Sequence, residues 1–350
     1  MRKQAKDTIT FKPKEETKKL VSGLSDRAKE IIIKRYGLGK IARRMTLEAI
    51  GEEYGITRER VRQIENYALA SIRRLPEYEA AQLVFDELKA LVNFYGGIVH
   101  EKSFLDAVSD NEITKNHIHF LLVLSDAFFK IKEDKEFHHR WTTNKEMADK
   151  VHQSIDKLCR NFNQDDLVSE EALVKTFLVE LQDVVDELSD RQEEVARHWL
   201  KISKKLSFNP LGEWGLAQSP NIKMRGIRDY AFLVLRHHGS PMHFTEVANS
   251  IYQLFDKKAH PATCHNELIK DDRFVLVGRG LYALVEWGYS KGVVAEVIKN
   301  ILAKDGPLTK DEIITRVLKE RHVKANTIIV NLQNSPLFVR VDDGRYALNS

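Results

Sequence analysis

Cysteine is nearly absent from this chain, with two in 350 residues. Cys159 and Cys264 stand far apart and outside any C-x-x-C spacing, which argues against a disulfide framework or a thiolate zinc site. Long apolar runs are missing too, since no stretch approaches the roughly 18 uncharged apolar residues that suit a membrane helix. The opening residues are basic and polar, without the apolar centre of a secretory leader. A cytoplasmic protein with no membrane partner is therefore expected.

Signatures of catalysis are missing as well. The glycines of "GRG" at 278–280 fall inside a predicted hairpin and open no helix, so they make no phosphate loop. No G-x-S-x-G elbow is present, and acidic pairs such as Asp165 and Asp166 lie in polar, surface-type sequence. The 13 histidines form neither H-E-x-x-H nor a Cys-His grouping. His138 with His139 and His237 with His238 are neighbours whose side chains diverge. His117 and His119 would share a face only in a strand, whereas the local apolar spacing is helical. The acidic stretch "SEEALVKTFLVELQDVVDEL" at 169–188 reads as a core-facing helix or a partner surface. No catalytic residue, metal or cofactor is expected, and the chain is read as no enzyme.

What is present begins with charge. The net charge is only +4, but residues 1–78 hold 19 Lys+Arg against 11 Asp+Glu, which leaves the rest of the chain mildly acidic. A phosphate-seeking surface belongs at that front. The length admits two or more domains, and the apolar fraction of 43% is ordinary for a globular protein.

Within the basic front, Leu47, Ile50 and Tyr54 fall on one face of a short helix beginning after Thr46. Gly55 suits a left-handed turn, and Ile56 returns to the core. Thr57 is a good N-cap for a second helix, along which Val61, Ile64, Ala68, Ile72 and Leu75 make a buried stripe. The opposite face carries Arg58, Glu59, Arg62, Gln63 and Asn66, with Arg60 beside them and Arg73 and Arg74 at the far end. Two helices joined by a three-residue turn, the second outwardly polar, predict a helix-turn-helix. The residue types suit base reading: arginine forks onto guanine, glutamine onto adenine, and glutamate accepts from cytosine.

The run "TLEAIGEEYGITRERVRQIENYALASIRRL", preceded by "LSDRAKEIIIKRYGLG", resembles the final, promoter-reading region of the primary sigma factors of bacterial RNA polymerase, over about residues 23–78. The resemblance implies that Arg58, Glu59, Arg62 and Gln63 meet an upstream promoter hexamer, with Thr57 and Arg60 nearer the phosphates. It implies also that the helices around Leu24 to Tyr36 dock onto the polymerase flap. Two departures stand out. Nothing before residue 23 accommodates the sigma regions that grip core polymerase and melt the start site, so a complete sigma factor is not expected. Ala70 and Ser71 replace residues that are basic in the family, which implies a weaker phosphate grip.

The back half repeats itself. "RFVLVGRGLYAL" (273–284) aligns with "LFVRVDDGRYAL" (337–348), and "HHGSPMHFTEVA" with "AKDGPLTKDEII". Each unit reads as helix, Gly-Pro turn, short helix, third helix, then strand, turn and strand, the order of a winged helix. Fainter echoes place Trp214 and Trp141 where these hairpins have Tyr282 and Tyr346. "GSPMHFTEVANSI" with "HPATCHNELIKDDRFVLVGRGLYALVEWGY" resembles the HARE-HTH family, a winged-helix type found in the delta subunit of bacterial RNA polymerase and in some chromatin and restriction-enzyme proteins. In that family the module is an accessory contact unit. Here Thr263, His265, Asn266, Lys270 and Arg279 in one unit, and Lys324, Asn326, Thr327 and Arg345 in the other, are candidate secondary nucleic-acid contacts. Asp271, Asp272, Asp342 and Asp343 weaken that case electrostatically.

The expected protein is mainly α with small β-wings, a helix-turn-helix followed by tandem winged-helix-like domains. Its expected parts are a basic tail (1–22), the sigma-like reader (23–78), winged-helix-like units at 79–144 and 145–220, and HARE-HTH-like units at 225–289 and 290–350. The composition of "AQSPNIKMRG" (217–226) predicts a flexible joint. The expected function is transcriptional, with promoter-like duplex DNA and core RNA polymerase as partners. Two alternatives stay open: a delta-like polymerase modulator that reads no bases, and the specificity module of a restriction-type system.

Overall fold

The computed structural model describes residues 9–181, 191–289, 294–321, 323–341 and 344–349. Asp342, Asp343, residues 1–8 of the expected tail and positions 182–188 of the acidic stretch lie outside the described residues. The chain divides into two compact units. One runs to Phe208 and includes Gly212–Ala217; the other comprises Asn209–Leu211 and the residues from Gln218 onward. The architecture is mainly helical with small antiparallel sheets. Among the described residues no helix is long and apolar enough to cross a membrane.

The first unit opens with α1 (Pro13–Ser22), α2 (Asp26–Tyr36), α3 (Leu47–Tyr54) and α4 (Arg58–Ile72). The expected basic tail thus ends much earlier than residue 22. Pro13 presets the first turn of α1, Glu15 and Glu16 complement its dipole, and Thr17, Leu20 and Val21 are buried. A charged sequence with only Pro13, Leu20 and Val21 apolar on its inner side reads as a solvated arm; these positions, with Thr17, have a partner more than 90 residues away.

That partner is a repeated unit. After the short α5 (Pro76–Ala80) come α6 (Gln82–Phe94), β1 (Ile98–His100), α7 (Glu101–Val108), α8 (Glu112–Leu124), β2 (Phe129–Ile131) and β3 (Arg140–Thr142), with sheet order β1-β3-β2. The second repeat has α9 (Lys145–Arg160), α10 (Glu170–Glu180), α11 (Gln192–Leu200), β4 (Leu206–Phe208) and β5 (Trp214–Leu216). In the second unit, α12 (Ile227–His238), β6 (Met242–His243), α13 (Phe244–Phe255), α14 (Pro261–Lys270), β7 (Phe274–Gly278) and β8 (Leu281–Leu284) form the third repeat. The fourth has α15 (Val294–Asp305), α16 (Lys310–Glu320), α17 (Ala325–Asn334), β9 (Phe338–Arg340) and β10 (Tyr346–Leu348).

The four repeats share one register. In each, a short extended segment after the first helix pairs antiparallel with the last strand, and an aromatic residue stands opposite an apolar one: Val99 with Trp141, Val168 with Trp214, Met242 with Tyr282, Leu308 with Tyr346. The sequence periodicity missed these leading segments because two or three residues are too few to show alternation. The aromatic position was readable because a large ring closing a small core recurs at a fixed place.

The third helices of the first two repeats are spent on neighbours. Residues 116–122 of α8 are buried without a break, with one side on α6 and α7 and the other on α1 and α2. Phe120 meets the Tyr36 ring edge-on at 5.0 Å, within a core that also contains Leu20, Ile32 and Leu121. Helix α11 packs against β1. There Gly96, at φ +90°, lies so close that a Cβ would fall 2.3 Å from Val195 and 2.9 Å from Trp199.

Of the segment 217–226, expected to be flexible, the part from Gln218 onward is hydrogen-bonded within the second unit. Ser219 and Asn221 are fully buried, Asn209 Nδ2 donates to the Asn221 carbonyl at 3.3 Å, and Arg273 reaches Asn221 Oδ1 at 3.4 Å and Asp229 Oδ1 at 2.9 Å. Its Ser and Asn residues satisfy one another and the backbone rather than water. Arg321, buried, donates to the Leu276 carbonyl at 2.8 Å and joins the third and fourth repeats.

Candidate nucleic-acid interface

Helix α3 begins where Thr46 Oγ1 accepts from the Ala49 amide at 3.1 Å and ends at Gly55, left-handed at φ +63°. The turn folds back tightly, the Ile56 amide donating to the Gly51 carbonyl at 2.9 Å. A Cβ on Gly51 would lie 2.6 Å from the Ile56 oxygen, so the turn needs glycine there. Thr57 Oγ1 then accepts from the Arg60 amide at 3.2 Å and starts α4. Ile31, Ile50 and Val61, all fully buried, lock α2, α3 and α4 together.

Along α4, Val61, Ala68 and Ile72 are buried as their spacing predicts and Ile64 is half-buried, whereas Leu75, expected on the same stripe, lies beyond the end of the helix, half-buried before α5. The buried stripe also contains Glu65. Its carboxylate accepts from Tyr36 Oη at 2.8 Å and from Arg35 Nε at 3.3 Å, and burial first, then the Glu65 charge, push the Tyr36 phenol far above its ordinary value. A glutamate inside an apolar stripe reads from sequence as a surface residue; only the facing Arg35-Tyr36 pair explains it.

Thr57, Arg58, Glu59, Arg60, Arg62, Gln63 and Asn66 are all exposed. They are cross-linked along the helix: Arg62 forks onto Glu59 through Nε at 2.8 Å and Nη2 at 2.6 Å, and Arg60 donates to Gln63 at 3.1 Å. The Arg62 hydrogen bonds hold the Glu59 carboxyl below its usual range. Anything that binds this face must therefore compete with these internal pairs or be met by the pairs as units. Arg74 is exposed. Arg73 is employed elsewhere: its Nε donates to the Leu124 carbonyl at 2.9 Å and lies 3.4 Å from Asp126, so it caps the C-terminus of α8.

The candidate secondary contacts divide. Thr263, Asn266, Lys270, Arg279, Lys324, Asn326, Thr327 and Arg345 are exposed. His265 is half-buried, its ring 4.6 Å from Phe244 and 5.8 Å from Tyr282, where it packs inside the third repeat. Asp271 is no free acid, since Arg273 grips it at 2.7 Å. His117 and His119 are both buried in α8, because that helix is enclosed on all sides rather than on one face.

The trihelical α2–α4 body, with a capped, outwardly polar helix after a glycine-dependent turn, defines a DNA-binding module of the helix-turn-helix class. More particularly, residues 20–74 match the family model described as Sigma-70, region 4. The chain is 42% identical over 67 residues to the RNA polymerase principal sigma factor HrdD of Streptomyces griseus, which covers 19% of this chain and 20% of that protein. It is 43% identical over 60 residues to the RNA polymerase sigma factor SigA of a Nostoc species (17% and 15% covered). It is also 46% identical over 56 residues to the RNA polymerase sigma factor RpoS of Coxiella burnetii (16% of each). The chain thus spans about a fifth or less of the length of these relatives.

Proposed function

We propose that this chain is a DNA-binding transcription regulator that works with bacterial RNA polymerase and reads a promoter upstream element through α4. One observation carries the reading: in a segment matching Sigma-70, region 4, the face bearing Arg58, Glu59, Arg62 and Gln63 is fully open. The opposite side of α1 and α2 is filled by α8 of the same chain. We read the four repeats as winged-helix-like units, the last two of the HARE-HTH type, supported by their common order of helix, extended segment, helix, helix and hairpin. In this reading the first two are scaffold, since their third helices are buried, and the last two keep theirs for polymerase or flanking DNA. The reading assigns binding rather than catalysis to the chain.

A second reading, a polymerase modulator that reads no bases, draws on a groove of about 580 Å³ between the start of α2 and α4. It is lined by Arg27, Ala28, Arg60, Gln63, Ile64 and the exposed Tyr67, and would suit a protein segment. Binding of the full chain to a duplex carrying a sigma-type upstream hexamer, compared with a scrambled duplex, with and without core polymerase, separates the two. Preference for the hexamer that disappears in Arg62→Ala supports the promoter reader. Binding seen only with polymerase and unchanged in Arg62→Ala supports the modulator.

A further inference from the structure

The connection from α2 to α3, "GLGKIARRMT" at 37–46, contains no acidic residue and three cations, Lys40, Arg43 and Arg44. Leu38 anchors it in the core shared with α8, and a side chain from outside the helix-turn-helix hydrogen-bonds it. Asn116 of α8, 4% exposed, donates through Nδ2 to the carbonyls of Gly37 at 3.1 Å and Ala42 at 3.0 Å, and its Oδ1 accepts from Arg44 Nε at 2.6 Å. Three of the four hydrogen bonds that a side-chain amide can make are thereby spent on this loop. Gly37, left-handed at φ +65°, fits closely enough that a Cβ would sit 2.6 Å from that nitrogen.

The loop's far end is fixed to the reading helix. Arg35 donates through Nη1 to the Met45 carbonyl at 3.0 Å while its Nε holds Glu65 of α4. Residues 58, 62 and 65 are spaced i, i+4 and i+7, so they run along one edge of α4. The loop therefore borders the edge that carries Arg58 and Arg62, and a duplex seated on α4 brings one phosphate strand past that side. Arg44, also exposed, spends its Nε on Asn116 and lines a cavity of about 490 Å³ with Glu101 and Glu112. Lys40 and Arg43 are exposed and have no ion-pair partner among the described residues.

We propose that the loop 37–45 is a second phosphate grip of the reader, in which Lys40 and Arg43 neutralise backbone phosphates and Asn116 is the positioning residue that holds the loop beside α4. This rests on the reading of duplex DNA by α4. It answers a deficit at the other end of that helix, where Ala70 and Ser71 are uncharged and Arg73 is committed to α8. The first repeat thereby contributes to DNA affinity without touching DNA, by replacing loop freedom with a fixed cationic contour.

The test is the salt dependence of binding to hexamer and scrambled duplexes by the full chain. For Lys40→Ala/Arg43→Ala the slope of log K against log salt is expected to fall by about 1.8, about 0.9 per lost phosphate contact, with the ratio between duplexes unchanged. Asn116→Ala is expected to lower the slope in the same direction, and to have no further effect when added to the double variant. An unchanged slope in the double variant, while wild type still prefers the hexamer, overturns the grip alone. An additional loss in the triple variant overturns the positioning role of Asn116. Failure of wild type to bind either duplex overturns the reading of α4 and the grip together.

Discussion

Tyr36 donates its phenolic hydrogen to Glu65 at 2.8 Å, buried between α2 and α4. With Arg35 on the same carboxylate, this contact sets the angle at which α4 leaves the body. Glu65→Ala strands the hydroxyl and half of the guanidinium, so a loss of about 1–3 kcal/mol is expected from unsatisfied buried groups. Thermal unfolding by circular dichroism measures it, and a variant as stable as wild type would show that the contact does not hold α4.

Gly51 predicts a sharper failure. Alanine there must push on the Ile56 carbonyl across a 2.6 Å gap, with no flexible side chain to yield. Overpacking of this kind costs about 1–3 kcal/mol, localised to the α3–α4 turn. Hydrogen exchange of the Ile56 and Val61 amides is the direct readout, and unaltered protection would contradict the steric account.

Glu59 is expected to act as a selector rather than an anchor. Glu59→Ala frees Arg62 from its fork and removes an acid from the exposed face. Affinity for scrambled duplex should rise while hexamer preference falls, by about 1–3 kcal/mol if Glu59 meets a base edge. A preference that survives unchanged would show that Glu59 serves only to hold Arg62.

The buried histidine of α8 gives a pH prediction. Burial, with a smaller contribution from the charge of Lys14, brings His117 down from its ordinary value to about 4, and among the described residues neither ring nitrogen has a hydrogen-bond partner. A base depressed in the folded state stays neutral there while the unfolded chain takes up a proton. Stability is thus complete above the ordinary histidine value near 6.5 and is lost as pH falls from there towards 4. His100 and His152, also brought to about 4 chiefly by burial, act in the same direction. Denaturant titrations at pH 7 and pH 5 should show the loss in wild type and a smaller one in His117→Leu; equal losses would remove His117 from the account.

The helix-turn-helix was legible because its determinants are local: Thr46, Gly55 and Thr57 act within four residues of where they stand, and the stripe Val61–Ala68–Ile72 needs only helical spacing. The repeats were legible through Trp141, Trp214, Tyr282 and Tyr346, which hold one register position each. What escaped is long-range. Residues 116–122 are apolar or neutral on every side of α8, so periodicity assigns them no face and cannot reveal two partners. Arg73 has the composition of a phosphate contact, and only the position of the Leu124 carbonyl gives it another task. Ser219 and Asn221 suggested a loose joint because the same side chains that solvate loops also satisfy buried backbone.

The seating of α8 against α1 and α2 also separates descent from folding. The match to the Sigma-70, region 4 model ends at Arg74, whereas the core holding Leu20, Ile32 and Tyr36 also takes in Phe120, Leu124 and Trp141. Kinship draws its frontier through the middle of a single hydrophobic mass. A transplanted reader cut at residue 74 would carry a bare oily flank into its new host, while one cut after Thr142 would bring its own wall.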